Sequence, residues 1–499
     1  MNISRRFFIG GAASFGAFQG CRLAQGPSLG GVARLKFGVV SDIHVIAENT
    51  DRPHQGNTRT FRRALRWFDA QGVDGVIIAG DMADAGLVSQ LQCVADAWNA
   101  VFPGNRSRLD GRPVEKLFVY GNHDWEGFNY GYSIFGKPSG ELTPDKIRTV
   151  GLKKAWEEVF EEEYAPVYRK VVKGYSFVGG HWDGDNGSAW GAGPDIAPFF
   201  AAHGKEIDPS LPFFYFQHPH PKDTCYGSWA WGHDAGVTTK VLSAYPNAIA
   251  FSGHSHYSLT DERSIWQGAF TSLGTGSLRY SCVAENEFAD QGGLENGKGA
   301  ANNRKGSAER LMPNVDVGEE RNGMLFSVYD DHISITRRDF MCDMDLGPDW
   351  VMPLPAAESK PFAFAAHAKT FPALAFAADA KIKVERAKRK VGKKEAEVFN
   401  LTVPSAAQTF SNRVFRYDVR IETKDGKAVL TRHLMAPGFH LPFEKSNRPF
   451  VLPVPVSDVP QDAEFRFAVV PVNSFGHGGA PLTTEYLKAT PASEAEKKA

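Results

Sequence analysis

Cysteine is scarce in this chain: Cys21, Cys93, Cys225, Cys282 and Cys342 are the 5 present in 499 residues, and none forms a CxxC pair. That excludes a zinc ribbon or a dense disulfide scaffold and leaves room for one or two bridges. An excess of either charge is also lacking. With 56 Lys+Arg against 57 Asp+Glu the formal net charge is −1, which gives no general electrostatic reason to bind nucleic acid or an acidic membrane. There is no internal repeat. The uncharged run from Phe7 to Gly20 is too short for a spanning helix. What is present is a globular composition, 42% hydrophobic and 23% charged, enough for a sizeable core shared by two or three domains.

The first 26 residues read as an address. Ser4-Arg5-Arg6-Phe7-Phe8-Ile9 is a twin-arginine pattern ahead of a short apolar run, which implies export to the periplasm or cell envelope. Cys21 follows Phe18-Gln19-Gly20, a partial match to a lipoprotein box. Lipid anchoring at Cys21 and plain cleavage nearby, for example after Ala24, are both open.

Five apolar, β-rich runs each end in residues that ligate metals. They are Phe37–Val40 followed by Ser41-Asp42-Ile43-His44, Val76–Ala79 followed by Gly80-Asp81, and Leu117–Tyr120 followed by Gly121-Asn122-His123-Asp124. The others are Phe213–Phe216 followed by Gln217-His218, and Ile249–Phe251 followed by Ser252-Gly253-His254-Ser255-His256. A buried parallel strand hands polar groups to a site at its C-terminal end in this way. Imidazole, carboxylate and amide oxygen together suit Mn, Fe or Zn. At Gly80-Asp81 the glycine lets the backbone come close while both carboxylate oxygens stay free to bridge two cations. His220 lies two residues after His218, and His218 is favoured because it comes directly off the apolar strand.

Between the strands, Asn57–Gln71 has helical spacing at Phe61, Leu65 and Phe68, with Asn57 or Thr58 as cap and Gly72 as stop. Its arginines Arg59, Arg62, Arg63 and Arg66 read as a solvated face rather than a phosphate cradle. Further helices are expected at 85–100 and 144–163. A hairpin is expected over 168–180 around Lys173-Gly174, and another over 324–336 around Asp330-Asp331. Residues 125–144 and 284–310 read as loops. Glu48, Asp51 and His54 are candidates for the entrance, and His181 and Asp183 for the pocket or a surface turn. His233, Trp229 and Trp231 are candidates for stacking on a base or sugar, with core or lid packing favoured for the two tryptophans. Past Trp350 the character changes. A Pro/Ala-rich linker, 350–375, leads to short alternating runs over 376–490, an all-β sandwich. Its closing stretch, Val470-Pro471-Val472-Asn473-Ser474-Phe475-Gly476, resembles the last hairpin of fibronectin type III domains.

Asp42-x-His44, Gly80-Asp81, Gly121-Asn122-His123-Asp124, His218 and Gly253-His254-x-His256, in that order, resemble the full signature of calcineurin-like metallophosphoesterases over residues 34–345. The resemblance implies an α/β fold, a four-layer α/β/β/α sandwich, followed here by the all-β domain. It implies a site for two divalent metal ions (Mn, Zn or Fe), one held by Asp42, His44, Asp81 and His256, the other by Asp81, Asn122, His218 and His254. It further implies that His123 stabilises or protonates the leaving oxygen, with Asp124 orienting its ring. The implied activity is hydrolysis of a small phosphate ester by a hydroxide bridging the metals. A phosphodiesterase is favoured over a phosphomonoesterase or nucleotidase. A binding protein on a retired scaffold is the rival, and it is disfavoured because no signature residue is missing. The absence of a tyrosine three residues after Asp81 argues against a purple iron site. The sandwich could contact a glycan or a protein, or pack on the catalytic domain.

Overall fold

The computed structural model describes residues 31–49, 56–126, 152–182, 193–227, 230–282, 320–391, 394–441 and 443–490. The export signal with Cys21, the loop candidates at 127–144 and 284–310, and Asp51, His54, Asp183 and Trp229 lie outside the described residues. Among the described residues the cysteines form no disulfide with one another. No helix among the described residues is long and apolar enough to cross a membrane.

Two mixed sheets form the N-terminal part of the described chain. The first contains β1 (Leu35–Val40), β2 (Gly75–Ala79) and β3 (Glu115–Val119), mutually parallel. The second contains β4 (Val167–Val172), β5 (Tyr175–Gly180), β6 (Phe213–Phe216), β7 (Ala248–Ser252), β8 (Ile265–Gln267) and β9 (Thr271–Gly274), in the order β4-β5-β6-β7-β9-β8. The chain then returns to the first sheet with β10 (Asn322–Val328), β11 (His332–Asp339), β12 (Met344–Asp345) and β13 (Trp350–Pro353), antiparallel additions beyond β1.

The layering follows from period-two alternation of apolar side chains in the central strands. Phe37, Val39, Ile77, Ala79, Leu117 and Val119 point from the first sheet into one shared core with Phe177, Phe214, Phe216, Ile249 and Phe251 of the second. The alternate residues Val40, Val76, Ile78 and Phe118 face the helices Arg59–Gln71, Val88–Val101 and Leu152–Phe160. On the far side, Val178, Phe213, Tyr215 and Ala250 face the helices Ala197–His203 and Val237–Leu242. The result is the four-layer α/β/β/α sandwich the sequence implies. Phe37 is its keystone, with ring centroids at 4.7 Å from Phe214, 5.2 Å from Phe177 and 5.0 Å from Phe326.

Both expected hairpins form, around Lys173-Gly174 and Asp330-Asp331. The first predicted helix begins at Arg59, where Asn57 Oδ1 accepts the Arg59 N–H at 3.0 Å, and stops at Gly72 in the left-handed region. The stretch 350–375 is not a bare linker. β13 pairs with β11, and Trp350, Met352, Ala356 and Phe362 are buried in the inter-sheet core. The prolines and alanines there are interspersed with large apolar side chains that cover the sheet's open edge.

The C-terminal region is all-β. A sheet of β14 (Lys383–Val391), β15 (Lys394–Val403) and β18 (Phe450–Pro455) faces one of β16 (Arg416–Thr423), β17 (Ala428–Met435), β19 (Phe465–Val472) and β20 (Leu482–Thr483). Every pairing is antiparallel, and Phe399, Leu401, Tyr417, Val419, Leu452 and Phe467 share the core. The aromatic ring of the closing hairpin packs inward: Phe475 lies against Phe364, Phe371 and His367.

Truncating the keystone should be costly. Phe37→Ala is expected to destabilise the protein by about 3–5 kcal/mol, because it leaves a cavity between two sheets that cannot collapse independently. Denaturant unfolding monitored by tryptophan fluorescence measures it.

Candidate metal centre

The C-terminal ends of β1, β2 and β3 meet those of β6 and β7 at one edge of the inter-sheet core, where backbone bonds tie neighbouring strand ends together. Asp42 N–H donates to Gly80 O at 3.0 Å and Gly253 N–H to His218 O at 2.9 Å. Asp42 couples the sheets directly, its carboxylate accepting the His254 N–H at 3.2 Å. Five of the candidate ligands occupy the left-handed region: Asp42 (φ 53°), His44 (47°), Asp81 (52°), His254 (71°) and His256 (56°). Such conformations cost about 1–3 kcal/mol each in non-glycine residues and persist where the surroundings impose them.

Two glycines make room. A Cβ on Gly80 would stand 2.4 Å from His218 Nδ1, and one on Gly121 would stand 2.2 Å from Asp81 Oδ1. Each glycine therefore lets a ligand side chain lie flat against the neighbouring turn.

Two donor groups share Asp81, namely Asp42, His44, Asp81 and His256 in one and Asp81, His218 and His254 in the other. All of these residues are buried. A third group, His44, Asp84 and His123, shares His44 with the first and is half-buried at Asp84 and His123. The donor atoms of each group lie within 4.8 Å of one another. His256 Nε2 is 3.0 Å from Asp42 Oδ1 and 3.0 Å from His44 Nε2. Asp81 Oδ2 is 3.5 Å from His44 Nε2 and 3.1 Å from His218 Nε2, so it stands between the groups. The expectation that both Asp81 oxygens are free is corrected: Oδ1 accepts the His123 N–H at 2.9 Å, and Oδ2 alone faces both groups. Asn122, 4% exposed, opens the short helix Asn122–Glu126 between them in sequence.

The imidazoles are held for ligation. His218 Nδ1 bonds the Ala79 carbonyl at 2.8 Å and His256 Nδ1 the Tyr280 carbonyl at 3.1 Å. Each Nδ1 carries the proton and each Nε2 points into the cluster, the tautomer a metal requires. His44 Nδ1 faces Asp84 Oδ1 at 3.5 Å. The buried His218 Nε2 makes no hydrogen bond.

The electrostatics show a site short of positive charge. Burial opposes the Asp42 charge, yet His256, His44 and His218 hold its carboxyl well below the usual range. Asp81 is likewise held down against burial by His218, His123 and His44. Burial opposes protonation of His44 and His218, but the neighbouring aspartates lift both to about 9. The cluster retains protons where cations would neutralise it, and its oxygen and nitrogen donors without thiolate fit Mn, Fe or Zn.

Other predicted residues fall elsewhere. Asp124, fully buried, does not hold the His123 ring. It accepts N–H groups from Ala83 at 2.7 Å, Gly121 at 2.8 Å and Met82 at 3.3 Å, and burial together with Asp81 pushes its carboxyl up to about 7. The His123 ring is anchored by Nδ1 on the Asp84 carbonyl at 2.8 Å and lies edge-on to His44 at 4.5 Å. His220 is turned away from the cluster, Nδ1 on Ser252 Oγ and Nε2 on Ser255 Oγ, both at 2.7 Å. His181 is a core residue: burial lowers it to about 3, and its Nδ1 accepts the Tyr120 N–H. His233 bonds the Cys225 carbonyl at 3.2 Å. Glu48 pairs with Arg62 at 3.5 Å and accepts the Thr58 hydroxyl, and Arg63 donates to Phe340 O. Arg59 carries an exposed side chain on the same helix, and Arg66 is exposed as well. Trp231 stacks on His254 at 4.5 Å and is 37% exposed, at the rim of the cluster.

Sequence reasoning missed Asp84, Arg279, Tyr280 and Trp182. Asp84 bonds Arg279 and is lowered to about 2, burial notwithstanding, by His44 and Arg279. Tyr280 lies 4.3 Å from His256, and Trp182 lies 5.5 Å from His254. Asp84 had a signal, its spacing after Asp81. The other three sit after strands with no motif of their own.

Residues 35–258 match the calcineurin-like phosphoesterase family profile. No curated protein matches the chain. Among solved structures it is similar to purple acid phosphatase PPD1 from yellow lupin (Lupinus luteus) seeds, at 14% identity and TM-score 0.40, covering 64% of this chain and 53% of the lupin one. It is also similar to a conserved phosphoesterase-like protein of Streptococcus pneumoniae TIGR4 (11%, TM-score 0.25, 64% and 97% covered). The zinc complex of Vps29 from Entamoeba histolytica is a third (11%, 0.27, 64% and 99%). The chain thus spans about half the length of the lupin protein.

Gly121→Ala should lower both stability and bound metal, measured by denaturant unfolding and elemental analysis, because the new methyl group would stand 2.5 Å from the Asp81 backbone nitrogen as well as 2.2 Å from its Oδ1. Metal uptake should also depend on pH with a definite sign. Below about 9 the apo cluster carries protons on His44 and His218 that a metal must expel. Affinity therefore rises with pH and levels off above about 9. Calorimetric titration at pH 7.5 in buffers of different ionisation enthalpy should register proton release.

Proposed function

We propose that this chain, whose residues 35–258 form a calcineurin-like metallophosphoesterase domain, hydrolyses phosphoric esters with two divalent cations, and that a small phosphodiester is its substrate. The observation that carries the reading is the pair of donor groups sharing Asp81. Asp42, His44, Asp81 and His256 would hold one cation, and Asp81, Asn122, His218 and His254 the other. Cations bound there would neutralise charge on a phosphoryl group and would lower the pKa of a bound water.

The protein's own contribution is placement. Asp42 and Asp81 are kept ionised, and His218 and His256 present Nε2 because Nδ1 is committed to a carbonyl. His123, anchored at Nδ1 by the Asp84 carbonyl, works through the opposite edge of its ring, where a proton can pass to a leaving alkoxide. Asp124 supports this indirectly by stapling the 82–83 and 121 backbones that carry Asp81 and His123. Asp84 stands where a purple site would place a phenolate, and its carboxylate is committed to His44 and Arg279, which favours Mn, Zn or ferrous iron. The DxH and GNHD forms favour a diester over a monoester or nucleotide. The twin-arginine start supports export of the protein after folding and metal loading.

Turnover of an aryl phosphodiester against the matching monoester, on metal-stripped protein given Mn, Zn or ferrous iron singly, tests the reading. Diester preference is expected. Monoester preference would move the substrate to nucleotides or sugar phosphates. Asn122→Ala and His254→Ala should lower metal content and turnover together. His123→Ala should keep both cations and lose about 10²–10⁴-fold on poor leaving groups, with little loss on good ones. Equal losses across leaving groups would remove the acid role.

A further inference from the structure

The segment following the last ligand, His256, is unusual for its burial. Every residue from Tyr257 to Ile265 is buried, including Ser258, Thr260, Asp261, Glu262, Arg263 and Ser264. Polar groups at such density persist only when partnered. The catalytic sheet supplies some partners: Asn322 Oδ1 accepts the Leu259 N–H at 2.9 Å, and Arg337 donates to Leu259 O at 3.1 Å and Glu262 Oε1 at 2.8 Å.

The β-sandwich supplies others. His440, in the turn after β17, bonds Glu320 Oε2 through Nδ1 at 3.0 Å, and both side chains are about 1% exposed. The other oxygen of Glu320 accepts the Thr260 hydroxyl at 2.6 Å. That hydroxyl has a single proton, so its 2.6 Å contact with Ser258 Oγ is donated by Ser258, whose oxygen in turn accepts the Thr260 N–H at 2.9 Å. An unbroken chain thus runs from the sandwich to a residue two positions after His256. Alongside it, the Arg263 guanidinium lies 4.8 Å over the Phe415 ring of the sandwich.

We propose that the C-terminal sandwich positions the His254–His256 turn, with His440 acting as a positioning residue through Glu320, Thr260 and Ser258. The inference rests on the reading of His254 and His256 as metal ligands. Without His440, Glu320 keeps a buried carboxylate with no sandwich partner and draws solvent into the joint. Thr260 and Ser258 then lose their fixed orientation, and the left-handed turn at His254 and His256 loses its brace. The sandwich is on this account part of the metal site's framework.

The test uses full-length protein with four variants: His440→Ala, His440→Asn, Thr260→Val and the double His440→Ala/Thr260→Val. Affinity for Mn²⁺ or Zn²⁺ is read by competition with a chelating dye on protein shown folded by circular dichroism. The two single truncations should each weaken metal binding about tenfold, the low end for residues supporting a ligand from behind. The double variant should be no weaker than the stronger single, since both cut one chain. His440→Asn, whose amide N–H replaces Nδ1–H, should recover affinity. A merely structural joint would lower the melting temperature and leave the metal affinity of folded protein unchanged, which would overturn the proposal, as would additive losses. Should His440→Ala fail to fold, the near-isosteric Thr260→Val cuts the chain from the catalytic side and decides alone. Wild-type protein that takes up no metal would overturn both this proposal and the hydrolase reading, whereas variants matching a metal-loaded wild type overturn this one only.

Discussion

Two fully buried carboxylates, Asp42 and Asp81, set the terms for the two-sheet domain. Taking a carboxylate out of water costs several kcal/mol even after relaxation, so each must be met by fixed positive charge or by aimed N–H groups. Asp42 is met by His256 Nε2 and the His254 N–H, both from the opposite sheet. Asp81 is met by His218 from that same sheet and by the His123 N–H from its own. The carboxylates on one sheet are thus satisfied by groups on the other. The aromatic core beneath, centred on Phe37, must hold the sheets at fixed register for the charges to close.

This dependence explains why so much of the site was legible. Ligands that lie at the C-terminal ends of buried parallel strands announce themselves as apolar runs broken by Gly-Asp, Gly-Asn-His or Gly-His-x-His, because the strand needs apolar residues on both faces and the turn needs a glycine. The continuous apolar runs that identified β1, β2, β3, β6 and β7 are buried on both faces, and the pleat sends alternate side chains into the inter-sheet core or onto the helices, which sets the layers. Choosing His218 over His220 followed from the same logic. A residue leaving the strand directly keeps to the strand's end, whereas two residues later the chain has turned and His220 is consumed by Ser252 and Ser255.

What stayed hidden is what three-dimensional closure alone decides. Asp124 sits beside His123 in sequence, but its carboxylate turns to the Met82, Ala83 and Gly121 amides, and the ring of His123 is anchored by a backbone carbonyl that no side-chain pattern encodes. Tyr280 contributes its carbonyl to His256 from a stretch without a motif. The supposed linker, 350–375, reads as Pro/Ala-rich because its large apolar residues follow no sustained helical or strand period, yet Trp350, Met352 and Phe362 suffice to cover the edge that β11 leaves open.

The sandwich is where composition and structure diverge most. Short alternating runs show an all-β module, and such a module could face solvent and bind a ligand of its own. Here the rings that could have formed a binding patch on its closing hairpin turn inward, Phe475 onto Phe371 and His367. Among the described residues its exposed large apolar side chains are Val429 and Tyr486. One of its buried polar side chains, His440, instead reaches across the joint to Glu320. Arg413 donates to the Phe439 and Leu441 carbonyls and so shapes the turn that delivers His440 to Glu320. A domain appended for recognition would be expected to hide apolar surface at the joint and keep its polar groups outside. This one buries a hydrogen-bonded carboxylate at the joint, an arrangement that gains little stability for its desolvation cost but tolerates few alternative geometries. Such a contact is better suited to fixing the position of what lies behind it than to adding free energy, and what lies behind it is the turn that carries His254 and His256.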